Sequence, residues 1–470
     1  MEGLEAAVVR KSQLGEYLRV DSEFYQKQYL VLDEVLRTAL PLTNFISHLT
    51  DGTHVTPKYQ EDGVKFLSSG NVSEFEVDFD DVRYIGEDEH KRLSHCQPQA
   101  GDVLISKSGR IGHAAVVPDN VTKGEFNIYE GIALLRTIEI APLTLAAIIN
   151  SSVVQSQINR RFKGVAQPHL HLEDIRRLRI PLLSKSLSES ISDCVNRGRN
   201  LTSYSTALLK DAEGLLNKSL GLSDWQPPQP LTYTRRASET FAAERLDAEH
   251  FQPQYDAMLE RATQHAAYTR RVADFVLYCD RGEQPDYVED GTLDVVNSRH
   301  ILESGLDYGN FEKTDLQCLN DARFAKARIQ KNDILVYTTG AKIGRSGIYF
   351  ADTPALASNH VNILRVSEEN PLYVGAVMNS MIGRWQTRRQ CTGSAQVEIY
   401  PAVIARFVIP FVDTATQETI AEKMRESYAA RHEAKALLEV AKRAVEIAIE
   451  QDENAALDWL LRKTSAQKAH

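Results

Sequence analysis

Two stretches of this chain gather hydroxyls, glycines and basic side chains into one short loop: "SKSGRIG" (Ser106–Gly112) and "TTGAKIGRSG" (Thr338–Gly347). That combination suits an anion. Glycine lets backbone N–H groups approach it closely. Lys107, Arg110, Lys342 and Arg345 supply neutralising charge, and Ser108, Thr338 and Thr339 supply hydroxyls. A planar guanidinium can also take both acceptors on a guanine edge. Downstream of each loop lies a basic pair, Arg160 and Arg161 in "NRRFKG" and Arg388 and Arg389 in "TRRQ". Upstream lie Ser69 and Asn71 in "LSSGN", and Ser298 and Arg299 in "VNSRH". For one loop alone a solvated hairpin suffices, and cations at a helix C-terminus are favoured there without a ligand. The same arrangement written twice moves the reading to nucleic acid.

The elements that must position these loops are duplicated too. "RVDSEFYQKQY" (Arg19–Tyr29) matches "RLDAEHFQPQY" (Arg245–Tyr255), and Ser69 falls on Ser298. "GDVLISKSGRIG" matches "NDILVYTTGAKIG", with Asp102 on Asp333. "INSSVVQSQINRRFKGVAQ" matches "MNSMIGRWQTRRQCTGSAQ", and Pro181 falls on Pro410. Four blocks in one order at nearly constant spacing indicate a tandem duplication. The framework matches while the loop residues differ, as expected of two readers on one scaffold; drift of unconstrained surface loops is the alternative.

Each half begins with short β-type runs punctuated by turn residues, such as "VKFLSSGNV", "DVLISKSG" and "IALLRTIEI". A short helix with a basic end follows, opened by Pro142 or Pro371. A strand ending in proline, "LRIP" or "FVIP", then leads into a long helix. In the first helix Cys194, Leu201, Leu208 and Leu215 recur every seven residues, with Ile191 and Ala212 on the neighbouring seam. In the second, Ile420, Ala434, Ala441 and Ala448 form one seam and Ala430, Leu437 and Ala444 the other. A seven-residue apolar repeat packs helices side by side. The expected fold is α+β: two tandem mixed α/β recognition domains, each followed by a long helix, the helices pairing as an antiparallel coiled coil with pseudo-twofold symmetry. The expected boundaries are 1–183 for the first domain, 184–222 for its helix, 223–411 for a linker and the second domain, and 412–470 for the second helix and a C-terminal tail. The proline-rich "QPPQP" after Leu222 marks the linker.

The chain has 470 residues and a net charge of −10, which argues against indiscriminate nucleic-acid binding by the whole surface but not against a local basic face. Five scattered cysteines without a C-x-x-C suit a reducing cytoplasm and no disulfide or zinc framework. No apolar run is long enough to span a membrane, and the first residues lack a signal-peptide pattern.

Along essentially its whole length the chain resembles the DNA specificity subunit of a type I restriction-modification system. The likeness rests on the tandem plan, the "RLDAEHFQPQYD" opening, the two glycine loops and the heptad helix closing each half. It implies two target recognition domains, each reading one half of a bipartite DNA site. It implies helices that fix the unread spacer and dock two modification subunits. Those partners would bind S-adenosylmethionine and methylate adenine, with motor-nuclease subunits as further partners in phage defence. No cofactor is expected in this chain, no catalytic residue and no metal. The matched positions for DNA contact are Lys107, Ser108, Arg110, Thr338, Thr339, Lys342 and Arg345, then Ser69, Asn71, Ser298, Arg299, Arg160, Arg161, Arg388 and Arg389. Two half-sites on one face of B-DNA lie about 34 Å apart, and some thirty helical residues span roughly 45 Å, so the ruler is physically reasonable.

Enzyme readings fit less well. "NPLY" (Asn370–Tyr373) lacks the second proline of the N-P-P-[YF] motif of adenine methyltransferases, and its counterpart is "APLT", so both read as helix openings. "GAKIGRSG" lacks the G-K-[ST] of a P-loop. "HLH" (His169–His171) has no third ligand at a suitable spacing. Two other readings stay open: a specificity protein of a type IIB-like enzyme or solitary methyltransferase, and a protein-interaction scaffold whose loops never touch DNA.

Overall fold

The computed structural model describes residues 6–11, 14, 20–162, 168–340, 342–391 and 397–466. Arg19, the "KGVAQ" and "TGSAQ" ends of the duplicated block, Ala341 and the last four residues of the C-terminal tail lie outside the described residues.

The chain forms two compact units, Met1–Thr202 with Glu433–His470, and Ser203–His432. In the first, an antiparallel sheet runs in the order Ile46–Asp51, Ile132–Thr137, Val103–Ser106, Ala114–Val116. In the second, Val276–Arg281, Val361–Val366, Ile334–Tyr337 and Ser346–Ile348 take the same order. Both units add a smaller sheet around a parallel pair, Val64–Leu67 with Phe126–Ile128 and Leu293–Val296 with Ala355–Ala357. Each pair has an antiparallel neighbour, Arg83–Ile85 or Glu312–Thr314. The outermost strand differs: Tyr59–Gln60 extends one edge in the first unit, Arg328–Ile329 the opposite edge in the second.

The strand "VLIS" is buried at every position, which is why it reads as an unbroken apolar run rather than an alternating one. Its two faces serve different cores. Val103 and Ile105 pack with the helices, while Leu104 packs with Ile132, Leu134 and the smaller sheet. The second unit repeats this, with Ile334 and Val336 on the helical side and Leu335 on the other. Each unit is therefore a helical layer, a central sheet and a smaller sheet. Burying each such aliphatic side chain stabilises the fold by about 1.5–3 kcal/mol.

Pro142 and Pro371 open helices at N1, Pro142–Asn150 and Pro371–Asn379. These helices are shorter than the apolar pattern suggests. Each breaks at a serine, and a second helix follows, Ser152–Asn159 or Met381–Gln390. Ser151 and Ser380 are extended, and each hydroxyl bonds the carbonyl three residues back, at 2.6 Å to Ile148 and 2.7 Å to Val377. Serine competes for backbone partners in this way, so it favours helix ends over interiors.

The heptad stretches form helices Lys185–Ser219 and Thr414–Glu450. Within the first unit, the Cys194 thiol donates to the Leu437 carbonyl at 3.2 Å, and Gly198 packs against Leu438 so closely that a Cβ would lie 2.9 Å from its side chain. Within the second unit, Ser205 meets Ser427 at 2.8 Å and Lys423 meets Asp211 at 3.1 Å. Numbers rise on one helix as they fall on the other, so the pairing is antiparallel. Ile191, Cys194, Leu208, Ala212, Ile420, Ala430, Ala434, Leu437, Ala441 and Ala444 are all buried.

Candidate nucleic-acid interface

Both glycine loops close the turn between the two central strands by the same backbone bonds. The Gly112 amide donates to the Ser106 carbonyl at 2.8 Å, and the Gly344 amide to the Tyr337 carbonyl at 2.9 Å. Both glycines adopt φ near +85°, where a side chain would be strained. Ahead of each strand a buried aspartate caps the turn. Asp102 accepts from the Gln99 amide at 3.0 Å and from Arg136 at 3.2 Å. Asp333 accepts from the Gln330 amide and from Arg365, both at 2.7 Å. Burial pushes the Asp102 carboxyl above its ordinary value, against the opposing pull of the Gln99 amide and Arg136. This aspartate is the shared start of the two loop blocks, and its role is to pin the strand.

The first residue of each loop is held on both sides. Lys107 donates its amide to Gly131 at 2.7 Å and accepts from the Leu170 amide at 2.9 Å. Thr338 does the same with His360 at 3.1 Å and Ile399 at 3.0 Å. Their side chains turn inward. Lys107 is 2% exposed and ion-paired with Asp51, and the Thr338 hydroxyl donates to the His360 carbonyl at 2.8 Å. Asn71 is likewise inside: its amide oxygen caps Ser68 at 2.8 Å and its amide nitrogen donates to Asp81 at 2.8 Å. His300 takes the same turn position in the second unit, where Nδ1 accepts from the Asn297 amide at 3.1 Å.

The basic pairs divide. Arg160 bonds the Phe24 carbonyl at 2.8 Å and Asp33 at 2.7 Å, with its guanidinium 3.8 Å over the Phe24 ring. Arg389 bonds the His250 carbonyl at 3.2 Å and Asp256 at 2.8 Å. These two arginines tie the opening segment of each half to its helix. Arg161 pairs with Asp174 at 2.8 Å, Arg299 with Glu312, and Arg345 with Glu303 at 3.3 Å. Ser108 donates to Ser69 at 2.9 Å, Thr339 donates to Glu398 at 3.3 Å, and Ser298 is half-buried in its turn. Arg110, Lys342 and Arg388 are exposed, and among the described residues no carboxylate stands within ion-pair distance of them. Lys107, Asn71, Thr338, Arg160 and Arg389 are thus engaged in contacts inside their own units, while Arg110, Lys342 and Arg388 present charge without an ion-pair partner among the described residues.

Local reading passed over a second charge pair, half-buried. Arg281 meets Glu398 at 2.5 Å, beside the Thr339 loop and 4.6 Å from the Tyr400 ring centroid. Arg281 ends its strand where Asp51 ends the corresponding strand of the first unit, but its partner Glu398 aligns with His169, and the counterpart of Lys107 is the uncharged Thr338. The signal was the Asp51-Gly52 dipeptide recurring as Arg281-Gly282 at the end of the first central-sheet strand. Arg384 was also missed. It stands one turn before Arg388 on the same helix face and meets Glu303 at 3.1 Å. No helix among the described residues is long and apolar enough to cross a membrane.

No protein-family profile matches the chain. Over 211 residues it is 22% identical to the type I restriction enzyme EcoBI specificity subunit of Escherichia coli, covering 44% of this chain. The chain is similar to a type I specificity subunit. The match spans 41% of the length of that curated relative. Solved structures that align with the chain include the S subunit of a type I restriction-modification system from M. genitalium, at 11% identity and a TM-score of 0.35, covering 90% of this chain and 95% of that one. The HsdS subunit of Thermoanaerobacter tengcongensis aligns at 14% identity and a TM-score of 0.27, covering 89% and 96%. A structure from a study of assembly and conformational transition in the type I R-M system aligns at 14% identity and a TM-score of 0.28, covering 88% and 97%.

Proposed function

We propose that this chain is the non-catalytic DNA specificity subunit of a type I restriction-modification complex in the cytoplasm. Each unit reads one half of a bipartite site, and the paired helices set the spacer and dock two modification subunits. Those subunits carry S-adenosylmethionine and the methyl transfer. One observation carries the reading: two hairpins with the same backbone bonds present different side chains at their tips, Arg110 in one and Lys342 in the other. A scaffold held constant while its tip varies is what two readers of different short sequences require. The specificity-subunit likeness supports the same conclusion. Phosphate contacts would set position and base-edge contacts would set sequence. The test is to map methylated adenines in a host expressing the chain with its modification partner. A two-part motif with a fixed unread gap is expected; methylation at a single uninterrupted motif contradicts the proposal.

A further inference from the structure

The loop tip and the helix Met381–Gln390 of the second unit enclose a cleft of about 550 Å³. Lys342, Arg345, Arg384 and Arg388 line it, with Gly340 on the loop side. Thr387, between the two helix arginines, also lines it, and its hydroxyl is buried without a hydrogen-bond partner. Glu249 is on the lining, and Glu303 meets Arg345 and Arg384 at 3.3 and 3.1 Å. Four cations against these two carboxylates leave a surplus, and Lys342 and Arg388 carry it.

Among the described residues, the first unit does not repeat these four cations at the aligned positions. The aligned residues are Arg110, His113, Gln155 and Asn159, one permanent cation in place of four. Burial and Arg110 hold the His113 imidazole below its ordinary pKa, although Glu74 pulls the other way. Gln155 spends its amide nitrogen on the Gly112 and Ile149 carbonyls at 2.9 and 2.8 Å. Ile158 stands where the second unit has Thr387, and packs against Gly112. An apolar side chain and a satisfied amide thus occupy the place of the charged cleft.

We propose that the cleft is a phosphate site, present in the second unit and absent from the first, and that it grips one backbone phosphate of bound duplex. The DNA part of this statement rests on the function proposed above. Arginine forks and a lysine around a glycine-bearing loop match the geometry and charge of a phosphate. The volume also admits the attached sugar. The two units would then hold DNA unequally, with the second contributing more of the salt-dependent affinity.

Two measurements on the full chain test this separately. Calorimetric titration with inorganic phosphate at low salt should show binding that weakens about tenfold or more in Lys342→Ala/Arg388→Ala. Lys185→Ala, which removes an exposed cation elsewhere, should leave it unchanged. Anisotropy of a labelled duplex across a potassium chloride series should show the slope of log K against log salt becoming shallower by about 1 in that double variant, the loss of one phosphate contact. Absence of phosphate binding, or binding undiminished in the double variant, overturns the site. Phosphate binding lost in the double variant with an unchanged slope overturns the DNA assignment and leaves a site for a small phosphorylated molecule. An intact phosphate site in a chain that binds no duplex overturns the function proposed above but not the cleft.

Discussion

The side-chain amide of Gln386 is bonded to both backbone groups of Val408, accepting from its N–H at 2.7 Å and donating to its carbonyl at 3.0 Å. Gln157 binds Arg179 in the same way, at 2.8 and 3.0 Å. One glutamine per unit thus acts as an extra rung of sheet between the basic helix and the strand that leads into the long helix. Gln386→Ala leaves a backbone donor and acceptor unpaired and should cost roughly 1–3 kcal/mol. Urea unfolding of the full chain checks this. Gln386 does not touch the proposed phosphate cleft, so the salt dependence of DNA binding should not change.

Arg160 is a test of framework against contact. Its side chain is 8% exposed and holds the Phe24 carbonyl and Asp33. Arg160→Ala should lower stability by about 2 kcal/mol through the lost hydrogen bonds and ring contact. Arg160→Lys should not restore it, because an ammonium lacks the planar fork. The slope of DNA affinity against salt should stay at the wild-type value. A slope reduced by about 1 would make Arg160 a phosphate contact instead.

His300 gives the second unit a dependence on pH that its counterpart Asn71 does not bring to the first. Burial and the neighbouring Arg299 hold the His300 imidazole down to about 4, from an ordinary 6.5. A lowered folded pKa means that the unfolded chain takes the proton first. The stability this group supplies is complete above pH 6.5 and is lost as pH falls through about 4. The loss amounts to roughly 3 kcal/mol at its fullest. His300→Asn, which copies the Asn71 cap, should keep the turn and flatten the unfolding midpoint of the second unit between those limits. An identical acid profile in the variant would place the sensitivity elsewhere.

The duplication and the paired helices were legible because burial writes them into residue type. Leu208, Ala434 and Ala441 recur at seven-residue spacing since each faces the other helix. The "VLIS" and "ILVY" runs were legible as short apolar strands, and the structure buries both faces. What stayed hidden depends on partners far along the chain. Lys107 looks like a ligand contact until Asp51 is placed beside it, and Arg160 until Asp33 is. No local window contains both members of either pair. The helix breaks at Ser151 and Ser380 were hidden for another reason: the apolar pattern runs through them, and only the serine-to-carbonyl bonds show the chain turning. Arg384 was overlooked beside the denser "TRRQ", although helical spacing puts it on the Arg388 face and turns Arg389 away from it.

The central claim is that two units read two separate short sequences, and it is tested most directly by selecting bound duplexes from a random library. The full chain with its modification partner should be compared with its Arg110→Ala variant. Two conserved blocks separated by a fixed, unselected gap are expected for the natural sequence, with Arg110→Ala changing one block and leaving the other intact. A single continuous motif, or a variant that changes both blocks together, would contradict the account.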